Sequence, residues 1–107
     1  MEEPEAPVTP SDSRDSADEI TELRRQLADT DPAVVIANHC YGLFELAAVY
    51  LSEQPPRLGE ASLAIDAFGA LVETLGERLG ESALPLAEGL AQMRLAWVQL
   101  RATLPES

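Results

Sequence analysis

The chain has no lysine; all seven of its basic residues are arginines, set against nineteen Asp and Glu, for a net charge of −12. So few cations exclude binding to nucleic acid through the phosphate backbone, which needs a Lys/Arg surface. They equally exclude adhesion to an anionic membrane surface. The one cysteine, Cys40, has no internal disulfide partner, which points to a reducing compartment. One histidine, His39, is too few for a multi-histidine zinc site, and one thiol is too few for a cysteine-rich one. Aromatic residues make up 5% of a chain that is 46% hydrophobic, so the core is one of Leu, Ala and Val. The first residues, MEEPEAP, have neither the basic nor the apolar region of a secretory signal.

What is present in quantity is apolar helical pattern. The longest apolar run, Ala33 to Ser52, has its apolar residues on nearly every side of a helical wheel, and such a helix needs neighbours on more than one face. Its eight Val, Ile, Leu and Phe residues would gain roughly 0.3–0.6 kcal/mol each on membrane insertion. An ionised Glu45 at mid-span offsets roughly 3 kcal/mol of that, and Asn38 and His39 add more. The expectation is a buried helix of a bundle and no membrane contact.

The chain divides into residues 1–15, 16–30 and 31–104. Residues 1–15 carry Pro, Glu, Asp and Ser with one large aliphatic side chain, the composition of a disordered acidic tail. A short helix is predicted from Ser16 to Ala28, with Ser16 and Glu19 as a capping box and Ile20, Leu23 and Leu27 as a narrow apolar stripe. Asp31-Pro32 restarts the chain as an N-cap and first helical residue, and Pro55-Pro56 ends the central helix near Ser52 or Glu53. A third helix is predicted from Glu60 to Leu79, closed by Gly80, and a last one from Ala83 to Thr103.

The apolar spacing runs Ile36, Cys40, Leu43, Ala47, Tyr50 in the central helix. It runs Ala61, Ile65, Phe68, Val72, Leu75, Leu79 in the third and Leu86, Leu90, Met93, Trp97, Leu100, Leu104 in the last. Steps of four and three alternate, the spacing of knobs-into-holes packing, and short loops make neighbouring helices antiparallel. The predicted fold is all-α: an antiparallel up-down-up three-helix bundle with a short N-terminal helix and the acidic tail.

Two helices carry apolar residues beyond that seam. On the last helix Leu84, Ala91, Leu95, Val98 and Ala102 form a second stripe opposite the first, bounded by Glu88, Gln92, Gln99 and Thr103 on one side and Arg94 and Arg101 on the other. The back of the central helix is mixed, with Val34, Tyr41, Gly42, Ala48 and Val49 around Asn38 and Glu45. A second apolar face calls for a partner, and self-association as a homodimer is the expectation. The alternative is that the two faces of the last helix merge into one broad core face.

Candidate chemistry is sparse. His39 and Cys40 are adjacent and lie roughly 100° apart on a helix, so they do not converge on one reacting atom. Glu73 falls at the height of His39, which would allow a His–carboxylate contact. Cys40, on the seam, reads as a small hydrophobe. Asp66, Glu73 and Glu77 share one face of the third helix and read as solvated, and a structural salt bridge is predicted between Asp66 and Arg94. Gly69, Gly76 and Gly80 follow no strand and make no phosphate loop. No catalytic, cofactor-binding or metal residue is assigned.

Leu58 to Leu71 reads L-x-x-A-x-x-A-I-D-A-x-x-x-L, with Ile65-Asp66 inside it; a glycine-punctuated turn at Gly80 follows, and then Met93-Arg94 leading to Trp97-Val98. With the apolar helix before them, these features resemble a small bacterial family of helical proteins, domain of unknown function eighteen-forty-four. The family's Lys-Thr-x-Gly turn is represented here by Glu77-Arg78-Leu79-Gly80. The resemblance implies a cytoplasmic helical protein encoded near translation-initiation and ribosomal-protein genes, and it implies no activity. The functional expectation is therefore a non-enzymatic, self-associating interaction module for an unknown protein partner, without a cofactor. The alternatives are a small-molecule or metal binder using His39 and Glu73, and an acidic mimic that occupies a basic protein surface through its tail.

Overall fold

In the computed structural model the described residues are 10–104, with side chains from residue 16 onward. They form α1 (Pro10–Asp29), α2 (Pro32–Ser52), α3 (Leu58–Leu75), a 3₁₀ segment (Gly76–Ser82) and α4 (Ala83–Thr103), with no strand among them. The chain falls into two compact units, Met1–Asp31 and Pro32–Ser107.

Within the first unit, α1 begins at Pro10 rather than at Ser16, so Ser16 and Glu19 lie inside the helix and do not cap it. Proline fits the first helical position because that N–H has no intrahelical partner to lose. Of the predicted tail, residues 10–15 are helical and residues 1–9 lie outside the described residues. Ile20, Leu23 and Leu27 are each about half exposed. The polar side of α1 is tied by the Glu22–Arg25 ion pair, a longer Arg25–Asp29 pair and a Gln26–Glu22 hydrogen bond. Thr30 closes the helix twice, through its amide to the Leu27 carbonyl and its hydroxyl to the Gln26 carbonyl, covering acceptors that a helix end leaves open.

In the second unit α2, α3 and α4 each pack on the other two and on the 3₁₀ segment. Their shared core is Ala37, Cys40 and Ala47 from α2, Ala61, Ala64, Ile65, Phe68 and Val72 from α3, Leu79, and Leu86, Leu90 and Met93 from α4. Phe68, fully buried, meets the Phe44 ring edge-on, with centroids 5.8 Å apart and planes at 73°. Phe44 in turn lies against Gly89 of α4, while the Trp97 indole N–H donates to the Leu58 carbonyl at 2.9 Å. Burying each large side chain of this set contributes about 1.5–3 kcal/mol.

The connection from α2 to α3 is held at one carbonyl. The amides of Glu53 and Arg57 both donate to Tyr50 O, and the Arg57 guanidinium stands over the Tyr50 ring and pairs with Glu60 at 2.9 Å. That anchoring starts α3 at Leu58, two residues before the expected Glu60.

At its other end α3 stops four residues short of the expected Leu79. Gly76, at φ +52°, terminates it with its backbone N–H donating a hydrogen bond to the Val72 carbonyl, and Gly80 turns the chain again at φ +68°. Both are conformations that only glycine adopts without steric cost. Leu79 still reaches the core, but from the tighter 3₁₀ segment. The same segment brings Gly80 against Ala33 of α2. On α2 the buried position is accordingly Ala37, while Ile36, placed on the seam by spacing alone, is more than a third exposed.

Candidate interaction surface and the α3–α4 cleft

On α4 two faces remain distinct. Leu86, Leu90 and Met93 are buried, whereas Leu84, Leu95 and Val98 expose 67%, 56% and 56% of their surface, and Ala91 and Ala102 are exposed too. All five predicted residues are thus brought into one outward stripe, and the merged single face does not occur. The outer side of α2 is partly apolar as well, with Val34, Tyr41, Leu46 and Val49 exposed around Asn38 and Glu45. By length and composition α2 is long and apolar enough to cross a membrane.

The expected Asp66–Arg94 salt bridge does not form. Arg94 instead clamps Glu73 with both terminal nitrogens, Nη1 to Oε2 at 2.8 Å and Nη2 to Oε1 at 3.3 Å. The path between them runs over Gly69, where a Cβ would sit 2.6 Å from Arg94 Nη2. Two long side chains meet across that gap, while the one-methylene arm of Asp66 stays outside ion-pair distance. Asp66 still acts on Arg94 through its field. The hydrogen bonds from Arg94 hold the Glu73 carboxyl below its ordinary 4.5, and the same pair raises the Arg94 guanidinium.

Glu73 binds its proton less readily folded than unfolded. Its contribution to stability is therefore complete above the unfolded value near 4.5 and is lost as pH falls through the lower folded value. Wild type minus Glu73→Gln stability, measured by urea unfolding, is expected to be positive at pH 7 and to shrink towards zero as pH falls below 4.5 and through the lower folded value. A constant difference across that range would contradict the pair.

His39 is exposed, and its Nδ1–H donates to the Val35 carbonyl at 2.9 Å, one turn back in its own helix. It lines a shallow hollow with Asn38, Gly42, Leu43 and Leu71, and Glu73 is engaged elsewhere. The His39–Glu73 contact that their heights would allow is not made, and among the described residues no three His, Cys, Asp or Glu side chains are grouped to hold a metal ion. Cys40 is fully buried and unpaired, and burial raises its thiol pKa, which leaves it a poor nucleophile.

Beside the stripe lies a cleft that spacing alone does not reveal. Ser62, Ile65 and Asp66 of α3 and Arg94, Trp97 and Val98 of α4 enclose about 310 Å³. Arg101 stacks on the Trp97 ring at 5.6 Å from its centroid. The one signal for the cleft in the sequence is Ser62 and Asp66, four apart on one helical face. Protein-family models, curated proteins and solved structures yield no match to this chain.

Proposed function

We propose that this chain is a non-enzymatic helical-bundle module that self-associates, as a homodimer, through the outer face of α4, and that it serves as a protein–protein interaction unit in the cytoplasm. The observation that carries the reading is the exposure of Leu84, Leu95 and Val98 on one stripe opposite the buried Leu86, Leu90 and Met93. Contiguous apolar surface of this kind marks sites of association. Charge supports a second copy as the occupant. In a chain of net charge −12, α4 carries one acid, Glu88, against Arg94 and Arg101. Two equally acidic molecules therefore meet there with least repulsion, and Gln92 and Gln99 along the border offer amides for hydrogen bonds between copies.

We read the fold as an antiparallel up-down-up bundle. Phe44 lies against both Phe68 and Gly89, Trp97 reaches Leu58, and Arg94 crosses Gly69, so positions rise along α3 as they fall along α4. Asn38, His39 and Glu45 in the middle of α2, together with Ala37, Cys40 and Ala47 buried in the core, support a bundle helix over a membrane span. The resemblance carried by Leu58–Leu71 and Met93–Val98 agrees with a cytoplasmic helical protein and supports a partner linked to translation. Light scattering over a concentration series tests the association: the mass is expected to rise from 11.5 kDa towards twice that value at tens of micromolar. A constant monomer mass would overturn it.

A further inference from the structure

We propose that the cleft between α3 and α4 is a binding site for a primary alkylammonium group, the ammonium resting on Asp66 and Ser62 and its aliphatic stem lying along Ile65, Trp97 and Val98. The walls and the polar groups divide in that way. Ile65, Trp97 and Val98 give the cleft an apolar lining, and about 310 Å³ accommodates a short methylene chain. Among the described residues Asp66 is the lining carboxylate without an ion-pair partner, and the Ser62 hydroxyl one turn before it makes no hydrogen bond.

The cation in the cleft is already engaged. Both terminal nitrogens of Arg94 are given to Glu73, and Asp66, Glu73 and Arg94 together sum to one negative charge. Arg101 stands over the Trp97 ring and does not line the cleft. The shortfall is thus one positive charge at Asp66. An ammonium suits it better than a guanidinium. A compact point charge with three donors is satisfied by one carboxylate and one hydroxyl, whereas a planar fork demands a bidentate acceptor and flat space. The strongly negative molecule as a whole also concentrates cations around it.

The chain contains no lysine, so the ammonium comes from another molecule, either a free amine or the lysine side chain of a partner protein. The site does not depend on the association of α4, although Val98 borders both surfaces.

Trp97 is the only tryptophan, so its indole N–H gives one resolved ¹H–¹⁵N signal at the wall of the cleft. The full chain and its Leu95→Glu variant are titrated with n-butylammonium, with Nα-acetyl-lysine N-methylamide and with uncharged n-butanol. Both ammonium probes are expected to shift the Trp97 signal saturably in the millimolar range in both proteins, with n-butanol producing no saturable shift. Asp66→Asn, with its fold checked by circular dichroism, is expected to bind about fivefold more weakly, the scale of one partly exposed ion pair. Tighter binding of the lysine derivative assigns the site to a partner's side chain, and tighter binding of n-butylammonium assigns it to a free amine. Absence of a saturable shift up to several tens of millimolar, equal binding by n-butanol, or unchanged affinity in Asp66→Asn would overturn the proposal.

Discussion

Phe68→Ala is expected to lower the unfolding free energy by about 3–5 kcal/mol, the largest single-residue effect in the protein. Phe68 has no exposed surface and is the largest side chain buried to that degree. Its ring faces the edge of Phe44, and it shares the core with Ile65 on its own helix and with Leu86 and Leu90 of α4. Truncation removes the transfer free energy of the ring and leaves a cavity between three helices that cannot close without moving one of them. A domain of this size has about 0.05–0.15 kcal/mol of stability per residue to lose, so the variant is expected to populate the unfolded state at 25 °C. Urea unfolding followed by circular dichroism measures the effect. Leu63→Ala, on a side chain 74% exposed, is the matched control and is expected to change stability by less than about 0.5 kcal/mol. Equal effects of the two substitutions would contradict the burial pattern.

At Gly89 the sign of the effect is expected to depend on the size of the new side chain. A Cβ there would meet Phe44 Cε1 at 3.2 Å, close enough that the ring must yield by a few tenths of an ångström. Gly89→Ala gains about 0.8–1.0 kcal/mol of helix propensity and loses most of it to that displacement, leaving a change near zero. Gly89→Leu drives further atoms into the space of Phe44 and breaks its edge contact with Phe68, with an expected cost of about 1–3 kcal/mol. Thermal unfolding of the two variants side by side checks this. A stabilised Gly89→Leu would show that Phe44 does not pack against α4.

The core was legible where four-three spacing alone decides burial. Ala61, Ile65, Phe68 and Val72 on α3, and Leu86, Leu90 and Met93 on α4, are buried where the period places them. The exposed stripe of α4 was legible for the same reason, since a helix buried on one side turns its opposite side outward. The end of α3 was not. Gly76 and Gly80 both suit a helix terminus, and Leu79 continues the apolar period past the true end, so periodicity ran straight through the break.

The partner of Arg94 was not legible for a separate reason, the direction in which its side chain extends. The pairing of Asp66 with Arg94 came from counting residues back from the turn as continuous α-helix, at about 1.5 Å each. That count does bring Asp66 to the height of Arg94, and the two line the same cleft. The reach of two long side chains over Gly69 then selects Glu73. On α2 the displaced position, Ala37 for Ile36, follows from the 3₁₀ segment covering the start of that helix near Ala33. Spacing within α2 has no access to that contact. The cleft was hidden for a related reason, because its walls belong to two helices.

Sedimentation equilibrium of the wild type beside Leu95→Glu tests the central claim, that α4 presents an association surface, most directly. Leu95 is 56% exposed, so the substitution leaves the core untouched and places a charge in the middle of the stripe. The wild type is expected to fit a monomer–dimer equilibrium at tens of micromolar. The variant is expected to remain at the 11.5 kDa monomer mass with an unchanged circular dichroism spectrum. A wild type that is monomeric throughout, or a variant that associates as strongly as the wild type, would contradict the account.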